Sequence, residues 1–120
     1  MIEGKIWGTT RQLIAKETFS LHRLEVKTGG YCSRHFHRSK SNHFYVESGV
    51  LIIKVWARDK PVNTYDETVL RPGDEMTVEP MTEHQFEAVS NCVLYETYWV
   101  TLAEDIERRT QGGVKGAKGV

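Results

Sequence analysis

Polar and apolar residues alternate along most of the chain, which is the pattern of half-buried β-strands. Leu24 and Val26 alternate with Arg23, Glu25 and Lys27 up to the turn Lys27-Thr28-Gly29-Gly30. Upstream, Phe19 and Leu21 alternate in the opposite phase, which predicts a bulge or a strand boundary at His22-Arg23. Residues 42–56 read as two strands broken at Ser48-Gly49, where glycine permits positive φ. The stretch 59–66, with Pro61 and Asn63, reads as a loop, and Arg71-Pro72-Gly73-Asp74 as a turn between short strands at 68–70 and 76–78. Beyond Pro80 follow a strand over 84–89 and a closing strand over 92–102, rich in Val, Tyr and Trp. Many short strands at regular turn spacing predict a sandwich or barrel.

One helix is predicted, over 103–109, with acidic residues early and arginines late as the helix dipole favours. Residues 111–120 are mostly glycine and lysine with almost nothing to bury, so they read as a flexible tail. With no repeat and no inter-domain linker, the chain of 120 residues is expected to form one domain over 1–110, followed by that tail.

Charge narrows the partners. Lysine plus arginine number 16 and aspartate plus glutamate also 16, so the net charge is zero and no broad basic field for nucleic acid exists. A local basic pocket for an anionic small molecule remains open. No apolar run approaches the roughly 18 residues of a membrane span, and no basic-then-apolar leader begins the chain. The expectation is a cytoplasmic protein with neither nucleic acid nor membrane as partner. Cys32 and Cys92 lie too far apart for a close-spaced zinc pattern and read as two reduced thiols in half-buried strands.

The chemistry gathers on histidine. His35 and His37, two apart on a strand, project side by side, and His84 follows Pro80 in a later segment. Two imidazoles on one face and a third from another strand could close three sides of the shell of a first-row metal ion. Three pocket histidines hydrogen-bonded to their neighbours, without metal, are the plainer alternative. Cys32 and Phe36 have the opposite parity to the pair and are expected off the site. Phe44, Phe86, Tyr95 and Trp99 read as core or pocket walls, and Trp7 and Trp56 as caps of the barrel ends or contacts to a partner chain. His22 reads as a surface or hydrogen-bonded histidine.

Gly29, His35, His37 and Gly49 stand at the spacing of the first motif of the cupin superfamily, and Gly73, Pro80 and His84 at the landmarks of the second. The chain resembles that superfamily, which implies an all-β, single-domain, antiparallel jelly-roll barrel. It is similar in more detail to the C-terminal cupin of type II mannose-6-phosphate isomerases. That likeness runs over residues 5–110, through Lys5-x-Trp7-Gly8, His35 to Arg38, Asn42-His43-Phe44, Ser48-Gly49 and Ala103-Glu104-Asp105-Ile106. Departures touch the pocket: Asn42 stands where the family has glutamate, Ser33 where it has glutamine, and two extra residues separate Arg38 from Asn42.

The resemblance implies one divalent transition metal (Mn, Fe, Ni or Zn) held by His35, His37, His84 and Asn42. A carboxamide oxygen is a weaker ligand than carboxylate for a hard cation. A register slip in Ser39-Lys40-Ser41 would instead turn His43 inward and make a four-histidine site. An aldose–ketose isomerase needs a base and an electrophile. His84, His35 and Glu96 are the candidate bases, and Arg38 is placed to pair with a sugar phosphate unless it is a solvated loop residue. His84 and Arg38 are therefore the expected catalytic pair. Three functions follow as expectations: a sugar-phosphate isomerase, a non-catalytic carbohydrate-binding cupin, or an iron-dependent dioxygenase. The resemblance also implies a homodimer paired through sheets or edge strands.

Overall fold

The computed structural model describes residues 2–100, 109–112 and 114–116. Nine strands follow in order: β1 (Ile2–Lys5), β2 (Gly8–Ala15), β3 (Phe19–Val26), β4 (Ser41–Ser48), β5 (Leu51–Trp56), β6 (Asp66–Leu70), β7 (Glu75–Val78), β8 (Glu83–Ala88) and β9 (Cys92–Trp99). They form a six-stranded sheet in the order β1-β2-β3-β9-β4-β7 and a three-stranded sheet in the order β6-β5-β8, with every pairing antiparallel. Residues 31–37 run beside β8 and touch it at two isolated bridges, Tyr31 to Glu87 and His35 to His84. This is the jelly-roll architecture expected. No helix occurs among the described residues, and the helix predicted over 103–109 lies outside them save for Arg109. Of the tail expected over 111–120, residues 111, 112 and 114–116 are described, and all are exposed.

Alternation explains which face each strand buries. Leu24 and Val26 on β3, Phe44 and Val46 on β4, Leu51 and Ile53 on β5, Phe86 and Ala88 on β8, and Cys92 and Leu94 on β9 meet between the sheets as the core. Each of the leucine, valine, isoleucine and phenylalanine side chains contributes roughly 1.5–3 kcal/mol when withdrawn from water. Gly49, at φ 81°, makes the turn by which the chain leaves the larger sheet for the smaller. A Cβ there would stand 2.1 Å from the Asn91 carbonyl oxygen, so the position demands glycine for both conformation and space.

The inward stripe changes character along four strands. It runs Val26, Leu24, His22 on β3, then Val46, Phe44, Asn42 on β4. It continues as Ala88, Phe86, His84 on β8 and Cys92, Leu94, Glu96, Tyr98 on β9. The registers pair Asn42 with Tyr98, Phe44 with Glu96, and His22 with Glu96, so the polar residues lie at one end of the barrel. A half-open polar end above a dry apolar end is the place this fold provides for chemistry.

Two local expectations are corrected. β3 is continuous through His22-Arg23, and the irregularity lies in its partner, between Gln12 and Ile14 of β2 opposite His22 and Leu21. β3 keeps regular pairing with β9 throughout, so Phe19 and Leu21 lie on the face opposite to Leu24 and Val26, and Leu13 is the extra residue of β2. β1 and β2 themselves were not predicted: their residues are mostly exposed and carry little apolar alternation.

Candidate metal centre and its cavity

Three histidines converge because two chain segments are locked in register. His35 N–H donates to the His84 carbonyl at 3.1 Å, and His84 N–H donates back to the His35 carbonyl at 2.9 Å. Residues directly opposite in an antiparallel pair project from the same face. His37, two residues on, follows His35, and its carbonyl accepts from Met81 N–H at 2.6 Å. Ring centroids stand 4.6 Å apart for His35–His84, 5.1 Å for His35–His37 and 5.7 Å for His37–His84. One ring nitrogen from each lies within 4.8 Å of the other two. Arg34 holds the segment in place, with Nε 2.5 Å and Nη2 3.2 Å from the two oxygens of Glu83 and its guanidinium 4.1 Å above Trp56.

Hydrogen bonds fix how the rings present themselves. His35 Nδ1 lies 2.7 Å from the Ser33 carbonyl oxygen, and His84 Nδ1 lies 2.9 Å from that of Thr82. A carbonyl only accepts, so both Nδ1 atoms carry the proton and both Nε2 atoms are acceptors: that of His35 is left for a ligand, and that of His84 accepts from the Asn42 amide. Burial lowers the pKa of His84 to about 4, with His35 and His37 adding in the same direction against the Thr82 hydrogen bond. Burial also lowers that of His37, again reinforced by His35 and by Lys40. Neutral imidazole is the form that binds metal.

Asn42 is fully buried and faces the same space. Its Nδ2 lies 3.2 Å from His84 Nε2 and 3.5 Å from Glu96 Oε2. Its Oδ1 and the Nε2 of His37 are both buried without a hydrogen-bond partner among the described residues. An unmade hydrogen bond of this kind costs on the order of 1–3 kcal/mol. A divalent cation would satisfy both atoms at once, so the residues present fit a metal. Three imidazole nitrogens and one carboxamide oxygen suit a borderline first-row ion better than magnesium or calcium. His43 points the other way, 3.7 Å from Glu75 at the surface, so the four-histidine arrangement does not form.

Beside the cluster lies a cavity of about 370 Å³, whose walls include Trp7, His22, Cys32, His35, Glu96 and Tyr98. It extends along the inner face of the larger sheet as far as Glu3 and Lys5 on β1, three strand spacings or about 14 Å from β9. Glu96 is 8% exposed, and desolvation raises its carboxyl pKa against hydrogen bonds from Tyr98 and Asn42. Burial likewise raises the Tyr98 phenol, with the Glu96 charge acting in the same sense. His22 stacks edge-on against Tyr98 at 5.8 Å, and burial lowers its pKa.

Cys32, His22 and Tyr98 are cavity residues that sequence reasoning left outside the site. Parity failed for Cys32 because the bridges Tyr31–Glu87 and His35–His84 differ in register by one residue, so strict alternation does not run between them. Its sulfur accepts from Phe86 N–H at 3.2 Å, and burial pushes the thiol up to about 12, which makes it a wall rather than a nucleophile. His22 and Tyr98 carry a signal that was available: they continue the inward stripes of β3 and β9. Both cysteines are free, as expected. Arg38 is exposed, with its guanidinium 5.7 Å above Phe36, and the structure does not bring it to the cavity wall.

The fold and the site together define a small β-barrel with a histidine cluster at one end. The family profile of the cupin domain matches residues 22–100, and the chain belongs to that family. Among solved structures, it is similar to KdgF from Halomonas sp. at 12% identity and a TM-score of 0.71, covering 85% of this chain and 89% of that one. An RmlC-like cupin from Shewanella frigidimarina shares 22% identity at a TM-score of 0.69, with 84% of each chain covered. The oxalate decarboxylase of Bacillus subtilis, described with Mn(II) centres, matches at 12% identity and a TM-score of 0.72 over 83% of this chain but 27% of its own. No functionally curated protein shows a significant sequence match. Among the described residues no helix is long and apolar enough to cross a membrane.

Proposed function

We propose that this chain is a metal-dependent cupin acting on a small polar ligand, with His35, His37, His84 and Asn42 as the metal-holding residues. The observation that carries this reading is the pair of buried atoms, His37 Nε2 and Asn42 Oδ1, that have no hydrogen-bond partner among the described residues, beside the His35 Nε2 lone pair left by its ring's backbone hydrogen bond. Manganese, iron, nickel or zinc would supply a Lewis acid that polarises a carbonyl or hydroxyl oxygen of the ligand.

Within that class the favoured activity is isomerisation of a sugar phosphate of the mannose 6-phosphate type. The cavity offers hydroxyl-binding side chains at Thr10, Gln12 and Ser33, and a cation, Lys5, at its far end. Glu96 is the group best placed to carry a proton between adjacent carbons, because desolvation moves its pKa towards neutrality. Tyr98 orients that carboxyl. Lys5 takes the phosphate-binding part first expected of Arg38.

Two measurements test this. Metal content of protein purified without chelator should be near one ion per chain and should fall in His37→Ala. The loaded protein should interconvert mannose 6-phosphate and fructose 6-phosphate. A chain that takes up no metal refutes the site. A loaded chain that leaves the sugar phosphate unchanged refutes the substrate and leaves the carbohydrate-binding reading. The all-neutral donor set favours one further activity, ferrous oxygen chemistry, for which substrate-dependent oxygen uptake is the readout.

A further inference from the structure

The first strand spells Ile2-Glu3-Gly4-Lys5, and the next residue is Ile6. Read about Gly4, this segment is a palindrome in charge and hydropathy: isoleucine at each end, opposite charges inside them and glycine at the centre. β1 is the outermost strand of the larger sheet, so one side of it has no strand partner among the described residues. Lys5 stands opposite Gly8 across the two-residue turn Ile6-Trp7. Alternation then points the main-chain groups of Lys5 and Glu3 at β2 and those of Ile2 and Gly4 at the free edge. Ile2 is 65% exposed and Ile6 94%. The hairpin also precedes the stretch that matches the cupin family, residues 22–100.

We infer that β1 is a self-complementary edge that pairs antiparallel with β1 of a second copy, centred on Gly4. In that register Gly4 faces Gly4, Ile2 faces the partner's Ile6, and Glu3 faces the partner's Lys5. The narrow, hydrogen-bonded position falls on Gly4, whose main-chain groups, like those of Ile2, point outward. The wide positions fall on the charged pair, where opposite charges across strands are favourable. Glu3 and Lys5 already pair within one chain at 3.1 Å, which shows that their side chains share a face.

The other free edges do not offer this. β7 would set Glu75 against the partner's Glu79 if paired about Thr77, and β6 carries Asp66 and Glu67 with no cation. Like charges directly opposite disfavour the first, and the second has no basic residue to face its two acids. The consequence reaches the cavity, because Glu3 and Lys5 lie on its wall. Pairing along β1 makes one continuous sheet of two copies, and the partner's Glu3 and Lys5 complete the outer rim of each cavity.

Sedimentation velocity across a concentration series should show a two-chain species for the unaltered protein. Lys5→Glu should weaken it at least about tenfold with the melting curve retained, and the exchange Glu3→Lys/Lys5→Glu should restore it. Facing α-carbons in a narrow pair stand about 5.5 Å apart, within disulfide range. Oxidised Gly4→Cys should therefore form a covalent dimer, and Ile2→Cys should not. A Cβ at Gly4 meets nothing within 4 Å, so that substitution leaves the fold intact. A monomer at every concentration, a dimer indifferent to Lys5→Glu, a folded double exchange that stays monomeric, or equal cross-linking at positions 2 and 4 would each overturn the inference.

Discussion

His35 and His84 exchange two backbone hydrogen bonds, and that exchange sets their rings 4.6 Å apart on one face. The metal-binding geometry is therefore a property of the main chain before it is one of side chains. What holds the bridge is next to it. Arg34 grips Glu83 with two nitrogens and lies on Trp56, one residue from each bridging histidine.

Arg34→Ala should weaken metal binding about tenfold without removing a ligand, the usual scale for groups that orient ligands. Arg34→Lys should recover little, since a lysine cannot reproduce the two-point contact. Titration of the metal-free protein with nickel or zinc gives the comparison. Unchanged affinity in both variants would show that the bridge needs no such clamp.

Asn42→Asp preserves shape and adds a charge. Without metal the new carboxylate faces Glu96, now 3.5 Å from the Asn42 amide, and the fold should lose about 1–3 kcal/mol in denaturant unfolding. With manganese the order should invert, because a carboxylate serves a hard cation better than an amide does. Equal manganese affinity in the two proteins would place Asn42 outside the metal shell.

Stability of the metal-free protein should depend on pH through two buried groups of opposite sense. His84 has its folded pKa depressed from 6.5 to about 4, so its neutral state favours the fold above 6.5, and that contribution disappears as pH falls towards about 4. Glu96 has its folded pKa raised above 4.5, so its contribution is present below 4.5 and is lost as pH rises through the folded value. Glu96→Gln removes the second effect. The variant should melt higher than the unaltered protein at neutral pH, and its melting temperature should climb steadily between pH 4 and 6.5. A flat profile in the variant would show that His84 is not held neutral by burial.

Gly49→Ala tests the turn that passes the chain between sheets. The added Cβ would meet the Asn91 carbonyl at 2.1 Å at a φ of 81°. A loss of at least about 2 kcal/mol is expected in equilibrium unfolding, more than the conformational preference alone accounts for.

Much of this was legible in the sequence where burial forces alternation. Phe44 and Val46, Leu51 and Ile53, and Cys92 and Leu94 announce their strands because one face must be apolar. The spacing of His35, His37 and His84 announced the cluster because two strand residues of equal parity must share a face. The β1–β2 hairpin stayed hidden because its strands bury little and so carry no apolar period. The change of apolar phase before Leu24 was visible, but it marks apolar residues on both faces of a regular β3, and the bulge sits in β2. Cys32 could not be placed by counting, since isolated bridges do not enforce alternation.

The proposed metal-holding residues come from both sheets: His35, His37 and His84 from the smaller one and its flanking segment, Asn42 from β4 of the larger. The complete site therefore comes into being only when the two sheets have closed on each other. An unfolded chain still carries His35 and His37 two residues apart, enough for a weak chelate. Metal will then bind both states, and raising its concentration will protect the fold by less than the native affinity alone implies. An ion held by these residues would act as a late fastener of the barrel, taken up loosely by one histidine pair and held fully only once Asn42 and His84 are in place.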